Sequence, residues 1–462
     1  MNKFFSVKHF SRLRQGFGGQ AKTSKARLGE IITSHGEIKT PAFISAATKG
    51  TIKSLSSQLI KEIGIQAGCV NTYHLVTHPG AEIIGKAGGI HKYSQLNMPL
   101  MSDSGGFQVF SLAKDSKTRH HVFSTASPRQ RRGPRRLSQK QVSSFSNVTR
   151  KANIRGDEQP LLVKISEDGV KFRSTFDGEL IEFTPEKSME YQRQIGADIN
   201  MAFDECTYYP ATYEYAEKAM ERTHKWLLRC IKYKESSIPK FFDGKQKTLP
   251  AGRQGAKNLV SSLSKNQQYL YGVIQGGTFE DLRKKSAEFV VSQNTPGVAI
   301  GGVSVGESKK EMRDQVRWVS NYLPKDRPVH LLGVGQIDDI IDLVKYGVDT
   351  FDCVEPTRLA RMGRIYQVKK AQCQNFLSPV GVGVPSRLDY NIDISKSIYK
   401  SDLSPIDESC NCYVCANFTK SYLHHLFKQR EILGYTLATY HNLWVMEKLF
   451  EKIREMIGND LI

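Results

Sequence analysis

Short apolar runs alternate with helical patterns along most of this chain. Seven of these runs each end in a polar or glycine-rich cluster, at 67–75, 98–107, 197–206, 269–277, 297–307, 327–335 and 348–358. Amphipathic stretches such as 214–233 and 337–347 lie between them. Strands that alternate with helices favour a parallel sheet with helical crossovers. With at least seven such strands, we predict an α/β fold, a closed (β/α)8 TIM barrel.

An open, doubly wound parallel sheet is the alternative architecture. A nucleotide fingerprint of the form GxGxxG at the start of a helix would favour it, and the sequence has none in a convincing context. In a closed barrel, polar residues at the carboxyl ends of the strands gather at one mouth and form the active site. The clusters that end the apolar runs are therefore the candidate catalytic positions.

The composition excludes some classes of protein. Apolar residues make up 39% of the 462 residues and charged residues 24%, which excludes a mostly disordered chain. No uninterrupted run of about 18 apolar residues occurs, so we expect no transmembrane helix. The first ten residues lack the apolar stretch of a secretory signal, so we expect a cytoplasmic protein with no membrane partner.

The net charge of +20 is concentrated in two segments. Residues 116–156 hold eleven basic residues and no acid, and residues 1–28 hold seven more, again without an acid. Together they account for 18 of the net charge of +20, so the body of the chain is nearly neutral. A basic segment indicates nucleic acid as a partner, or a solvated loop without one.

Three low-complexity stretches interrupt the alternating pattern, at 12–27, about 115–160 and about 240–258. Such compositions bury too little apolar area to offset the entropy of ordering, so we interpret all three as mobile surface loops. An RNA-steering loop, and for the largest stretch a lid over the mouth, are the alternatives. We favour an inert loop there, because its only aromatic residues are Phe123 and Phe145, and single-strand binding surfaces combine charge with aromatic platforms.

Three clusters at the ends of predicted strands carry acidic side chains. They contain Asp103, the pair Asp204 and Glu205, and Asp352. Carboxylates that meet at one mouth can recognise a base, transfer protons and attack an electrophilic carbon. Paired carboxylates also cleave sugar–base and sugar–sugar bonds through an oxocarbenium-like transition state. The alternative is that each aspartate only caps the helix that follows it.

Near the carboxyl terminus, Cys410, Cys412 and Cys415 lie within six residues, and histidines follow at 424, 425 and 441. Three thiolates and one imidazole make a closed tetrahedral zinc site, which is structural because no coordination position is open for water. The spacing alone does not choose the histidine. We predict a basic amino-terminal segment at 1–28, a barrel domain at 29–400 that contains the two later inserts, and a zinc-binding subdomain with terminal helices at 401–462.

Eight motifs in order resemble those of the tRNA-guanine transglycosylases, also called queuine tRNA-ribosyltransferases. They are NTYHL, SDSGGFQVFSL, DECTYYP, GVIQGG, IGGVSVGE, LLGVG, FDCVEPTR-x-AR and C-x-C-x₂-C-x₂₅-H. The match runs from about residue 28 to about residue 460, apart from the two later inserts. The resemblance implies a TIM barrel with a zinc-bearing subdomain and one structural Zn²⁺ per subunit, and its spacing selects His441 as the fourth ligand.

The resemblance also implies a reaction. The family replaces guanine at the wobble position of tRNAs with GUN anticodons, those for Asp, Asn, His and Tyr, through a covalent enzyme–ribose intermediate. Asp352 matches the nucleophile that attacks C1′ of the ribose and releases guanine. Asp103 matches the general acid/base that deprotonates the incoming base.

Further positions match the groups that bind the substrates. Those implied to hydrogen-bond the purine-like base are Asp204, Gln275 and the backbone of Gly302, and those implied to sandwich it are Phe107 and Leu332. The side chains implied to hold the anticodon-loop nucleotides are Arg358 and Arg361. This arrangement fits the general way in which single-stranded loop bases are flipped, stacked and read on their edges. We expect a homodimer.

Two positions indicate the bacterial type, which inserts 7-aminomethyl-7-deazaguanine (preQ1) in queuosine biosynthesis. They are Cys206, after Asp-Glu, and Val305, in GGVSVGE. Enzymes that insert queuine have a smaller residue at the second position, and Val305 would fill that space. One rival is a non-catalytic paralogue, but such chains lose the nucleophile, and this one has both Asp103 and Asp352. The other is a hydrolase with catalytic zinc, which needs an open metal site.

Overall fold

The computed structural model describes residues 3–12, 14–17, 20–110, 161–174, 176–237, 267–367 and 391–462. The strands in these ranges are β1 (Phe5–Phe10), β2 (Arg14–Phe17), β3 (Gln20–Thr23), β4 (Arg27–Thr33), β5 (Gly36–Thr40), β6 (Ala42–Ala46), β7 (Gly68–Val70), β8 (Leu100–Ser102), β9 (Leu161–Ile165), β10 (Val170–Arg173), β11 (Leu180–Phe183), β12 (Ile199–Met201), β13 (Tyr269–Ile274), β14 (Gly297–Ile300), β15 (Val329–Leu331), β16 (Thr350–Cys353), β17 (Arg364–Tyr366) and β18 (Asn391–Asp393).

The helices in the same ranges are α1 (Ser57–Ile63), α2 (Thr72–Thr77), α3 (Ala81–Lys86), α4 (Ile90–Ser94), α5 (Gly106–Phe110), α6 (Pro185–Ile195), α7 (Tyr213–Ser237), α8 (Glu280–Ser292), α9 (Lys309–Val319), α10 (Ile337–Val344), α11 (Glu355–Arg361), α12 (Tyr413–Asn417), α13 (Lys420–Gln429) and α14 (Ile432–Gly458), with a short 3-10 turn at Ser397–Tyr399. None of the helices in the described ranges combines the length and the apolar character needed to cross a bilayer.

Eight strands close into a parallel barrel, in the order β12-β13-β14-β15-β16-β6-β7-β8. Every neighbouring pair in this ring is parallel. The ring closes where β12 meets β8, with Ile199 opposite Met101. The predicted (β/α)8 barrel is confirmed, and a closed ring excludes the open sheet.

The sequence pattern predicted seven of these strands and missed β6. Its five residues, AFISA, are all buried, and the strand pairs with β16 so that Ile44 lies opposite Asp352. The run is short and is built partly from Ala and Ser, so it does not stand out as an apolar segment. The missed strand lies beside the strand that carries the predicted nucleophile.

Side chains from the strands fill the inside of the barrel. The buried set contains Ile44, Met101, Ile199, Met201, Tyr271, Val273 and Ala299. A second, larger apolar cluster lies between the barrel and the helices around it. Since the inside is packed core and not a pore, a ligand reaches the strand ends only from the mouth.

A three-stranded sheet in the order β1-β4-β5 covers the amino end of the barrel. Phe5, Ile31 and Ile38 of this sheet belong to the same cluster as the barrel interior. Arg27, on β4, forms a buried ion pair of 2.6 Å with Asp349, the residue before β16. The amino end is therefore closed, and the carboxyl ends of the strands are free to form a site.

The structure differs from the sequence expectation within 12–27. That stretch, interpreted as a mobile loop, contains the antiparallel hairpin β2–β3, in which Phe17 lies opposite Gln20. Backbone pairing needs no apolar side chains, so composition alone does not exclude a hairpin. The inserts at 115–160 and 240–258, and Cys373, lie outside the described residues.

The carboxyl-terminal part carries the cysteines on short elements and then returns to the barrel. Strand β17 pairs with β18, and the turn before α12 contains Cys410 and Cys412. Helix α14 is 27 residues long, and the side chains it buries include His441, Asn442, Met446 and Phe450. Phe450 is in ring contact with Phe43 of β6 and Phe351 of β16. The helix therefore joins the subdomain to the barrel wall.

Candidate active site and metal centre

The mouth at the carboxyl ends of the strands gathers the predicted catalytic and base-binding residues. Each lies at or just after a barrel strand: Asp103 after β8, Asp204 after β12, Gln275 after β13, Gly302 after β14, Leu332 after β15 and Asp352 within β16. Phe107 follows on α5. Because the eight strands are parallel, these ends open on the same side of the barrel.

Asp103 is held by the turn that follows the neighbouring strand β7. Its carboxylate accepts hydrogen bonds from the backbone N–H of Thr72 (2.9 Å), the backbone N–H of Gly105 (3.1 Å) and the side-chain amide of Asn71. Burial raises the pKa of Asp103 to about 7, against the effect of these bonds, and the charge of Asp352 adds to the increase. A group with this pKa can accept and return a proton near neutrality.

Asp352 faces the same space from β16. Its Oδ1 atom accepts a hydrogen bond from the backbone N–H of Gly333 (3.0 Å) and lies 3.3 Å from the Nε2 atom of His330. The side chain is 18% exposed, so a substrate can reach it. The thiol of Cys69, on β7, has its pKa raised by burial and by the charges of Asp352 and Asp103, which places it near both. The two carboxylates thus share one side of the mouth.

Asp204 and Gln275 form a buried polar pair next to these carboxylates. The Gln275 side-chain amide donates to Asp204 Oδ2 (2.7 Å), and the Ser104 hydroxyl donates to Asp204 Oδ1 (2.9 Å). Burial raises the pKa of Asp204 to about 6, although both bonds act to lower it. The Gln275 Oε1 atom is buried with no partner among the described residues. This arrangement leaves acceptor atoms for the N–H groups of a ligand.

Two glycines leave room beside this pair. A Cβ atom on Gly302, whose φ is +62°, would lie 2.2 Å from Gln275 Oε1. A Cβ atom on Gly106 would lie 2.5 Å from the carbonyl oxygen of Asp204. Any larger residue at either position would displace groups that line the site. Glycine is therefore needed for the backbone of these two turns to approach a flat ligand closely.

Phe107 and Leu332 differ in exposure. The ring of Phe107 is 37% exposed, while Leu332 is partly buried against the barrel interior. Their role as two faces of a sandwich stays a prediction. A small pocket lies at Gly302, and Tyr208, Tyr209 and Val305 line it.

The two arginines predicted to bind RNA lie on α11, the helix that directly follows Asp352. Arg358 is exposed, and the Arg361 guanidinium donates to the carbonyl oxygen of Thr357 (2.7 Å). This short helix begins two residues after β16 ends, so both side chains start close to the mouth. Their contact with RNA stays a prediction.

The four predicted metal ligands come together in the carboxyl-terminal subdomain. The His441 Nδ1 atom lies 4.0, 3.4 and 3.4 Å from the sulfurs of Cys410, Cys412 and Cys415. In a tetrahedral zinc site, bond lengths near 2.3 Å to sulfur and 2.0 Å to nitrogen place these atoms roughly 3.5 Å apart. The donor set therefore fits Zn²⁺ closely.

The orientation of His441 supports this assignment. Its Nε2 atom is bonded to the carbonyl oxygen of Tyr366 (2.8 Å), which fixes the ring and leaves Nδ1 directed at the sulfurs. His424, whose Nδ1 atom is bonded to the carbonyl oxygen of Ile394 (2.8 Å), does not belong to the group of ligand atoms that lie together in the described part of the chain. The choice left open by the local sequence is thus settled by geometry.

A second group of possible ligands, His35, His91 and Asp198, lies at the amino end of the barrel. Asp198 accepts hydrogen bonds from the His35 Nδ1 atom (2.7 Å), the His91 Nε2 atom (3.1 Å) and the backbone N–H of Leu100 (3.0 Å). The two imidazoles are stacked, with centroids 3.4 Å apart and planes at 9°. One ion cannot lie in both ring planes of such a stack. We therefore interpret this group as a hydrogen-bonded cluster, the Asp198 cluster, in which the carboxylate holds the two histidines together.

Comparison with known proteins agrees with the geometry. The family model for queuine tRNA-ribosyltransferase matches residues 22–150 and 135–462. The chain belongs to this family. It is therefore an enzyme, a tRNA-guanine transglycosylase.

Relatives from distant organisms share almost the whole chain. The queuine tRNA-ribosyltransferase of Thermoanaerobacter pseudethanolicus is 40% identical over 95% of this chain and 91% of its own length. That of Aquifex aeolicus is 39% identical over 94% of this chain and 93% of its own length. A putative queuine tRNA-ribosyltransferase of Archaeoglobus fulgidus is 36% identical over 94% of each chain. The family suggested by the eight motifs is thus confirmed.

Several residues that shape the site were not predicted from the sequence. Asn71, Thr72 and Ser104 hold the carboxylates of Asp103 and Asp204. His330 contacts Asp352. All four lie within or beside the motifs NTYHL, SDSGGFQ and LLGVG, so their position at strand ends marked them as candidate site residues. The atoms they contact could not be predicted, because these depend on which strands are neighbours.

Proposed function

We propose that this enzyme exchanges guanine at the wobble position of GUN-anticodon tRNAs for preQ1, in the cytoplasm. The observation that carries this proposal is the shared mouth, where Asp103 and Asp352 face one space beside the buried pair Asp204–Gln275. One carboxylate with a pKa of about 7 and one open to the substrate are suited to proton transfer and nucleophilic attack.

The reaction is a double displacement at C1′ of the ribose. A carboxylate oxygen of Asp352 forms a bond to C1′ as the bond from C1′ to N9 of guanine breaks, and the departing guanine takes its N9 proton from water. The incoming base gives its N9 proton to Asp103 and then forms its own bond to C1′, which releases Asp352. Each displacement passes through an oxocarbenium-like transition state.

Base recognition is assigned to the pocket beside the carboxylates. Asp204 and Gln275 accept and donate hydrogen bonds on the edge of the base, with the backbone of Gly302. Phe107 and Leu332 cover its two faces. Val305 lines the adjacent pocket, at the position where queuine-inserting enzymes have a smaller residue, and this supports preQ1 as the preferred base.

The tRNA is held by Arg358 and Arg361 on α11, next to the nucleophile. The Cys410, Cys412, Cys415 and His441 site holds one structural Zn²⁺, which supplies folding free energy and takes no part in the displacement. We propose a homodimer, which light scattering on the purified protein will test.

The experiment is incubation of the purified protein with radiolabelled guanine and unmodified tRNA of the GUN class. Label is expected in this tRNA and not in a control tRNA whose anticodon has adenine in place of the wobble guanine. Absence of label in both tRNAs would overturn the enzyme assignment. Addition of unlabelled preQ1 should chase the label from the tRNA, while queuine should do so only after Val305→Gly.

A further inference from the structure

Arg283, on α8, is a fully buried guanidinium beneath the mouth. It donates hydrogen bonds to the carbonyl oxygens of Gly277 (2.7 Å), Gly301 (2.6 Å) and Gly302 (2.7 Å), and to the side-chain oxygen of Gln315. The three glycines belong to the turns that follow β13 and β14. One side chain thus joins two of the loops that form the candidate base site.

A buried cation is costly unless it is paired, and a carboxylate is the usual partner. Within the described ranges, all hydrogen bonds of Arg283 go to neutral oxygens. Burial lowers the pKa of Arg283 to about 10, so it is still charged at neutral pH. Backbone and amide dipoles therefore make the direct contacts with the guanidinium, while the charge of Glu307 acts on it without a hydrogen bond among the described residues.

The peptide between Gly301 and Gly302 connects this charge to the pocket. Its carbonyl oxygen accepts from Arg283, and its N–H, which belongs to Gly302, has no acceptor among the described residues. A hydrogen bond to the carbonyl of a peptide polarises the same peptide's N–H and makes it a stronger donor. Gly302 also lies against Gln275, which leaves no room for a side chain.

We infer that Arg283 is a positioning residue for base recognition, which aims and polarises the Gly302 N–H toward the carbonyl oxygen of an oxopurine-like base. The inference rests on the proposed function in taking the Asp204–Gln275 pocket as the base site. Asp204, when charged, accepts N–H groups of the base but cannot bind its carbonyl oxygen, which needs a donor. The Gly302 N–H supplies that donor from the opposite side of Gln275.

The test is binding of free guanine and 6-thioguanine to Arg283→Met by calorimetry. Both bases offer the same N–H groups, but sulfur is the weaker acceptor. The Kd of guanine should rise about fivefold to tenfold, the size of one lost hydrogen bond, and that of 6-thioguanine should rise less than about twofold. In the exchange reaction, KM for the base should rise by the same factor as the Kd of guanine, with kcat little changed.

Arg27→Met is the matched control, because Arg27 is also a buried guanidinium but lies at the amino end of the barrel, with Asp349. It should lower the melting temperature and leave both Kd values unchanged. If Arg283→Met binds guanine like the wild type, or loses both bases equally, the inference is overturned. If wild-type protein binds neither base and exchanges none, the proposed function fails instead.

A second variant decides the matter if Arg283→Met does not fold. Gln315→Glu keeps the volume of the side chain and its bond to Arg283, so the chain is expected to fold. The new carboxylate draws the guanidinium charge away from the Gly301 carbonyl, and the Kd of guanine should rise about twofold to fivefold. An unchanged Kd in folded Gln315→Glu would overturn the inference.

Discussion

The Nε2 atom of His330 lies 3.3 Å from the Oδ1 atom of Asp352, across the pair of strands β15 and β16. The imidazole is fully buried, and its Nδ1 atom is bonded to the Thr350 hydroxyl (2.9 Å), so the ring is fixed. The N–H of Gly333 bonds the same Oδ1 atom. One oxygen of Asp352 is therefore held, while Oδ2 has no hydrogen bond within the described ranges, as the proposed attack through that atom requires.

Asp352→Asn is expected to abolish exchange and to eliminate a denaturation-resistant protein–tRNA adduct, because an amide is a far poorer nucleophile than a carboxylate. The adduct is measured by denaturing gel electrophoresis with labelled tRNA. Asp342→Asn, on outer helix α10, is the control and should react normally. An adduct that persists in Asp352→Asn would assign the attack to another carboxylate.

Asp103 gives the reaction a pH dependence. Its pKa of about 7 means that the carboxyl is mostly protonated at pH 6 and mostly charged at pH 8. Because only the charged form can accept a proton from the incoming base, the rate of preQ1 incorporation should rise through pH 7. Asp103→Asn should lower the rate roughly 10²- to 10⁴-fold and remove that rise. A wild-type rate that does not change between pH 6 and pH 8 would contradict the role.

The same group affects stability with the opposite sign. The folded protein keeps the Asp103 proton to higher pH than the unfolded chain does, so its contribution to stability falls as pH rises from about 4 to about 7. Asp103→Asn should therefore melt at a higher temperature than wild type at pH 8, by a margin that is clearly smaller at pH 5. Calorimetric scans at both pH values measure this, and a lower melting temperature at pH 8 would show the reasoning to be wrong.

Cys412→Ser should lower zinc content and the melting temperature together, because structural zinc contributes folding free energy. Cys230→Ser is the matched control: Cys230 is also fully buried, but it lies on α7, where its sulfur accepts from the N–H of Phe203, and it is not one of the four clustered ligands. It should keep one zinc per chain in elemental analysis. Full stability in metal-free protein would refute a structural role.

The Asp198 cluster at the amino end of the barrel leads to a separate prediction. Burial alone would raise the pKa of Asp198, but hydrogen bonds from His35 and His91 hold it at about 2. A lowered pKa contributes stability above about pH 4 that is lost as pH falls toward 2. Asp198→Asn should cost about 2 kcal/mol in urea unfolding at pH 7 and progressively less below pH 4. The exposed Asp326→Asn is the control and should change little.

The sequence predicted the barrel and the metal centre because both depend on local patterns. Strand–helix alternation and the Cys-x-Cys-x₂-Cys spacing do not require knowledge of which strands are neighbours. His330 and Arg283 were missed because their roles do depend on it. A histidine in an apolar run and an arginine on an amphipathic helix look ordinary until β15 is placed beside β16 and α8 beneath two glycine turns.

The short strand β6 shows the same limit from another direction. Its sequence carries almost no pattern, yet without it the ring could not close and Asp352 would lie on an exposed edge. A barrel closes only when all eight strands are present. Once seven strands have been recognised, the need for an eighth follows from the fold, but the residues of β6 do not reveal where it lies.

The metal ligand His441 is followed directly by Asn442, whose side-chain amide donates to the carbonyl oxygen of Pro356 (3.0 Å) on α11. Its Oδ1 atom accepts from the N–H of Tyr366, the residue whose carbonyl fixes His441. An oxidant that joins two of the three cysteines in a disulfide would remove two of the predicted metal ligands and so loosen this junction between the subdomain and the barrel. Activity would then depend on the redox state of cysteines that lie outside the barrel mouth.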